Sequence, residues 1–193
     1  MLWSLGPLVV ACLLLAGLVG MCSFQGRGPS TGSVPHYDAA AALKADAQTL
    51  GFPIRLPALP AGWQANSGAR DGIEAGRTDP ANGQPVRAKV STVGYIAPSG
   101  KYVSLTQSNA DENKLVAFLH PELYPTGAQD VGGVQWVVYG DSGDDAGAEP
   151  VWTTRLGGVD GTQIALTGAG GTDDFRTLAT ATQNASPLPA SRP

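Results

Sequence analysis

An α+β fold is what this 193-residue sequence predicts: an antiparallel sheet with amphipathic helices on one face, preceded by one N-terminal transmembrane helix. Three observations predict it. The chain opens on a charge-free apolar block, several short runs then alternate apolar and polar residues with period two, and no βαβ spacing repeats between those runs. Hairpin-like connections therefore dominate, and they make the sheet antiparallel.

The opening block, "MLWSLGPLVVACLLLAGLVGMCSF" from Met1 to Phe24, is long enough at about 1.5 Å per helical residue to reach across the ~30 Å of a bilayer core. Trp3 and Phe24 stand near its two ends, as interfacial aromatics do, and Pro7 is tolerable in a membrane helix. A cleaved signal peptide needs a basic n-region, which is missing. A lipoprotein reading of "VVAC" at Cys12 leaves "LLLAGLVGM" dangling behind the lipidated residue, and Cys22 follows Met21 where a small residue is expected. An uncleaved anchor over 1–24 is the reading adopted. Both cysteines lie in it, so the remainder carries neither an internal disulfide nor a thiolate metal site. The lipid bilayer is then the first expected partner, with the folded part on the extracytoplasmic side of the cytoplasmic membrane.

A Gly/Pro/Ser stalk follows over 25–37, too poor in apolar residues to fold. The domain is expected over 38–183. "YDAAAALKADAQTL" reads as a helix with Asp38 as N-cap, Leu43, Ala47 and Leu50 on one face, and Gly51 as its stop. "FPIRLPALPAGW" is extended by Pro53, Pro57 and Pro60; its PxxP spacing is read as a rigid lead-in packed on the core instead of an SH3 ligand. "TDPANGQP" is a turn. Val86, Ala88 and Val90 share one strand face, and Val93 and Tyr95 take over the apolar phase, which predicts a bulge near Thr92. Val103 with Leu105, and Val134 with Trp136 and Val138, mark further strands. "VWTTRLGGVDGTQIALTG" reads as a hairpin turning at Asp160-Gly161, with Ile164 and Leu166 on one face. "ADENKLVAFL" is a helix with Leu115, Phe118 and Leu119 inward, and "TDDFRTLATATQ" one with Phe175, Leu178 and Ala179 inward and Thr172 as N-cap. Residues 184–193 are expected to be a disordered tail.

Leu59-Pro60-Ala61-Gly62-Trp63, Val93-Gly94-Tyr95, Tyr102 to Ser108, Trp136, and the ending from Thr167-Gly168 to Leu178-Ala179 together resemble the actinobacterial domain of unknown function 4245. The resemblance covers most of the part after the stalk. It implies a single-pass envelope protein of mycobacteria and relatives, with the anchor first. It implies no activity and no catalytic residue. An excess of arginine over lysine, with abundant alanine and glycine, agrees with a GC-rich source.

A net charge of −4 with no basic cluster excludes nucleic acid as a partner. Gly140-Asp141-Ser142-Gly143 looks like the nucleophile loop of trypsin-like proteases, but Ser142 lacks a histidine in a protease-like context. Only His36 and His120 exist, and Asp144 and Asp145 would oppose an oxyanion. Asp141, Asp144, Asp145 and Glu149 miss the EF-hand spacing, because Trp152 falls where its last glutamate belongs. His120 and Glu122 lack a third ligand. "TGAGGTDD" misses the third glycine of GxGxxG and a P-loop lysine, and Asp173 and Asp174 would repel phosphate from the helix start.

No catalytic, cofactor-binding or metal-ligating residue is therefore assigned, and no cofactor is expected. The functional expectation is a non-catalytic, membrane-anchored envelope protein whose outer domain binds an envelope component or a protein. A carrier of an apolar ligand is the alternative, to be favoured by a large apolar pocket and ended by a core filled with Trp63 and Trp136. A hydrolase comes third.

Overall fold

The computed structural model describes residues 36–141, 149–158 and 160–190. In chain order these form α1 (Ala39–Thr49), β1 (Gln64–Thr78), β2 (Pro85–Ile96), β3 (Tyr102–Ser108), α2 (Glu112–Leu119), β4 (Tyr124–Val131), β5 (Val134–Gly140), β6 (Val151–Leu156), β7 (Thr162–Gly168) and α3 (Thr172–Asn184). The seven strands make one antiparallel sheet in the order β1-β2-β3-β7-β6-β5-β4. Two meanders thus meet at the β3–β7 pair in the middle. Among the described residues no helix is long and apolar enough to cross a membrane. The expected anchor over 1–24 with Cys12 and Cys22, most of the stalk, and Ser142, Asp144 and Asp145 lie outside the described residues.

The helices do not share one face, which corrects the expectation. Successive strand residues point to opposite sides of a sheet. Val93 and Tyr95 of β2, Leu105 of β3, Leu166 of β7 and Trp152 of β6 belong to one core with Leu43 of α1 and Phe175 and Leu178 of α3. Ala88 and Val90 of β2, Ala165 of β7 and Val151 of β6 belong to a second core with Leu115 and Val116 of α2. The change of apolar phase along β2 is therefore not a bulge. The β2–β3 register runs unbroken through Thr92, paired with Thr106, and the strand serves one core with its first half and the other with its second. The register shift near this point is in β1, between Ala65 and Ser67. Two covered faces account for both phases without an extra residue.

Each element has a local cause. Asp38 caps α1, its carboxylate Oδ1 accepting from the Ala41 N–H at 2.9 Å, and Gly51, at φ 77°, ends the helix where a side chain would be strained. Asp46, buried against the sheet, accepts from the Ser91 hydroxyl and pairs with Arg70, which ties α1 to β1 and β2. In α2 Leu115 and Val116 are buried and Leu119 packs on the same core, as expected of Leu115 and Leu119, while Phe118 is 42% exposed, a correction to the expected face. A helix covering the far end of a sheet buries only a narrow stripe. For α3 the N-cap is Gly171, one residue before the expected Thr172, and its N–H donates to Asp174 Oδ2 at 3.1 Å. The inward set Phe175, Leu178 and Ala179 is as the sequence predicts, and Phe175 packs at 5.3 Å between ring centroids on Trp152.

The proline-rich lead-in lies on the first core, as expected. Gln107, fully buried, accepts from the Arg55 N–H at 2.8 Å and donates to its carbonyl at 2.9 Å, imitating a strand partner. The Arg55 guanidinium donates to the Gln183 and Ala185 carbonyls, closing the C-terminus of α3 with a cation where the helix dipole favours one. Burial lowers the pKa of that guanidinium. The first residues of the expected disordered tail are ordered. Pro187 bridges Arg55, and the Leu188 N–H donates to the Ile54 carbonyl at 2.7 Å, because the lead-in presents an extended backbone edge there.

Candidate functional site

Two concave regions lie at the two ends of α1. The larger is a cleft of about 700 Å³ where the α1–lead-in turn, the end of β1, the β3–α2 loop and the β6–β7 turn converge. Its chemistry is Arg77, Asn109, Asp111, Arg155 and Asp160. Arg155 donates to the Gly161 and Ala110 carbonyls, each at 3.0 Å, and stands 3.9 Å from the Asp111 carboxylate. Arg77 donates to the Asn109 carbonyl at 2.8 Å and reaches the same carboxylate oxygen at 3.5 Å. The turn depends on Gly161, where a Cβ would lie 2.2 Å from the Leu156 carbonyl oxygen. Guanidiniums stay protonated and cannot exchange protons with a substrate at neutral pH. This cleft is a clasp whose charges already hold the chain's own carbonyls and carboxylate.

The smaller region is a pocket of about 270 Å³ at the start of α1. Extended chain and strand ends assemble it. The Tyr37 N–H donates to the Ala65 carbonyl at 3.0 Å, which lays residues 36–38 beside the start of β1. Ala65 faces Tyr95 across the β1–β2 pair, and Trp63 meets Tyr95 edge-on, with ring centroids 6.5 Å apart and planes at 70°. Pro57 and Leu59 of the lead-in close the apolar side, and His36 and Asp38 stand at the polar side. Tyr95 is 3% exposed, and its hydroxyl has no hydrogen-bond partner among the described residues. Burial, reinforced by the nearby Tyr37, holds its pKa well above the usual phenol range. A shallow groove on the other side of the lead-in runs between Leu56, Ala58 and Pro60 and the outer face of α3.

The residues weighed in the sequence take other places. His120 is the C-cap of α2, its Nε2 3.5 Å from the Thr167 hydroxyl. His36 is at the aromatic pocket, so the two histidines are not brought together with a serine and a carboxylate. Asp174 closes its own helix start and accepts from the Ser99 hydroxyl at 2.8 Å. Among the described residues no three His, Cys, Asp or Glu side chains converge as metal ligands do. Pro57 is buried, which takes one proline of the PxxP spacing out of reach. The pocket residues Tyr37, Trp63 and Tyr95 carried no chemical signal in the sequence. Only their aromatic character and the proline lead-in before Trp63 pointed to that stretch.

The space between sheet and helices is filled. Trp136 is fully buried, its Nε1–H donating to Gln183 Oε1 at 3.2 Å, and Trp152, Phe175 and Leu105 pack around the same core. Trp63 lies half-buried at its edge. The two concave regions at the ends of α1 are polar in one case and aromatic in the other.

No curated protein and no solved structure matches the chain. A family model described as "Protein of unknown function (DUF4245)" matches residues 1–182, and the chain belongs to that family.

Proposed function

We propose that this chain is a single-pass, membrane-anchored envelope protein whose folded part stands outside the cytoplasmic membrane and binds an envelope component or a protein without catalysing a reaction. The observation that carries the binding reading is the aromatic pocket that Tyr95 helps to line, its buried hydroxyl without a partner among the described residues. A buried hydroxyl without a partner costs stability, so a site that keeps one has a hydrogen bond to offer an incoming group. Aromatic walls around few polar groups are the usual make-up of a small-ligand pocket. The anchoring reading rests on the uncharged, apolar length of Met1–Phe24.

Two measurements test it. Protease treatment of intact cells should digest the folded part while leaving a membrane-bound N-terminal fragment; a protected domain or a free soluble chain overturns the topology. Cross-linking in intact membranes, with Trp63→Ala as control, should retrieve a component that the variant loses. Retrieval unaffected by the variant moves the binding surface away from this pocket.

A further inference from the structure

We infer that the Tyr37–Trp63–Tyr95 pocket is a saccharide subsite, taking one ring of a neutral glycan; this rests on the binding reading above and names its ligand. The ligand must do three things at once. It must lay an apolar face on aromatic rings, accept a hydrogen bond from the Tyr95 hydroxyl, and donate one to Asp38. The Asp38 carboxylate uses Oδ1 for the Ala41 N–H, which leaves Oδ2 for a ligand hydroxyl. A sugar ring has that pattern, with C–H groups over its faces and hydroxyls, each both donor and acceptor, around its rim. The amphipathic tyrosine and tryptophan side chains complement it on both counts.

Charge narrows the choice further. No lysine or arginine lines the pocket among the described residues, and Asp38 is beside it, so an anionic ligand finds no counter-charge. A quaternary ammonium would suit the aromatic rings and the Asp38 carboxylate, whose full charge outweighs the dipole of α1, but the ammonium group itself brings no acceptor for the Tyr95 hydroxyl. A proline-rich peptide could lie against Trp63 and accept from Tyr95, but proline has no N–H to give Asp38. Of these ligand groups, the neutral polyhydroxylated ring alone covers the aromatic rings, accepts from Tyr95 and donates to Asp38.

The test uses the full chain in sugar-free lipid nanodiscs, because alkyl glycoside detergents are themselves saccharides. Neutral hexose and pentose oligosaccharides are titrated while tryptophan emission is followed. Uronic-acid oligosaccharides, choline and a proline-rich decapeptide form the contrasting arms. At least one neutral oligosaccharide should bind and shift the emission. Tyr95→Phe, which removes only an oxygen, should weaken that binding by about threefold to tenfold, the worth of one hydrogen bond. Trp63→Ala should weaken it by about tenfold or more, as loss of an aromatic anchor does. Circular dichroism confirms that both variants are folded, and Asp38→Asn, which keeps an acceptor for the helix cap, supplies a third variant expected to bind less tightly. Failure of every neutral oligosaccharide at millimolar concentration overturns the inference, as does preferential binding of choline, peptide or uronic acid, or unchanged affinity in Tyr95→Phe. If cross-linking still retrieves a Trp63-dependent partner in those cases, the binding reading stands and only the saccharide is lost.

Discussion

The Arg155 cleft is more than twice as large as the Tyr95 pocket and far richer in charge, yet it has less left to offer a ligand. Its guanidiniums already donate to the Ala110, Gly161 and Asn109 carbonyls and share the Asp111 carboxylate. Among the described residues, the pocket at the other end of α1 has no guanidinium and keeps a buried hydroxyl without a partner. The difference teaches that volume and charge alone do not measure what a cleft has left to offer a ligand. In the cleft, polar groups hold the fold together. In the pocket, one of them works against it.

That contrast has opposite signs in stability, which makes it breakable. The largest effect is expected at the cleft. Arg155→Ala should destabilise the domain by about 3 kcal/mol in urea unfolding, since two charge-assisted bonds to carbonyls are lost at once. A cost below about 1 kcal/mol would show that the clasp is ornamental and that Arg155 is available to a ligand.

Alkaline unfolding compares two tyrosines, one in each chemical situation. Burial raises Tyr139 to about 12, helped by the hydrogen bond it donates to Glu112 Oε1 at 2.8 Å; Tyr95 is raised by burial and the nearby Tyr37. A phenol whose folded pKa lies above its unfolded value favours the folded state while both forms are protonated. Stability is therefore fully present below pH 10 and falls as pH rises from about 10 toward 12. A fully buried phenol would lose about 1.4 kcal/mol per pH unit there, and Tyr139, only partly buried, should lose less because solvent screens it. Tyr139→Phe should make the urea midpoint less steeply dependent on pH in that window, and an unchanged slope would sink the assignment.

A smaller effect, of reversed sign, is expected at the pocket. Tyr95→Phe should leave stability unchanged or raise it by up to about 1 kcal/mol, because the removed hydroxyl is buried and unpartnered. Clear destabilisation would mean that the oxygen makes a structural bond, and the contrast between the two regions would fail. The smallest change belongs to Arg77→Ala, whose side chain is 45% exposed; less than about 1 kcal/mol is expected, shrinking further as salt is added.

Much of the scaffold was legible in local sequence, and the exceptions have physical causes. Runs with one apolar phase, such as Val134, Trp136 and Val138 of β5, declare themselves because those residues serve a single core, although Tyr139 of the same strand packs on the other. The edge strands β1 and β4 did not. Their residues, in "QANSGARDGIEAGRT" and "YPTGAQDV", are mostly exposed, so neither needs sustained alternation to satisfy a buried face. The candidate site was the least legible part. Asp38 could be named as a helix cap, but Tyr95 looks in sequence like any inward strand residue, and its lack of a partner depends on what stands opposite it.

What the chain determined by itself is whatever depends on neighbouring residues alone: the uncharged apolar length of Met1–Phe24, the Asp38 cap and Gly51 stop of α1, the glycine-rich hairpin connection between β6 and β7, and the inward stripe of α3. Only tertiary structure decided that β2 serves two cores, that α2 covers the opposite face from α1 and α3, and that Leu188 returns to Ile54. The same is true of which polar groups end satisfied and which do not. Caps and turns are settled within a few bonds along the backbone, whereas the occupant of each sheet face and the partner of each buried hydroxyl come from residues far apart in sequence, brought together only when the layers pack.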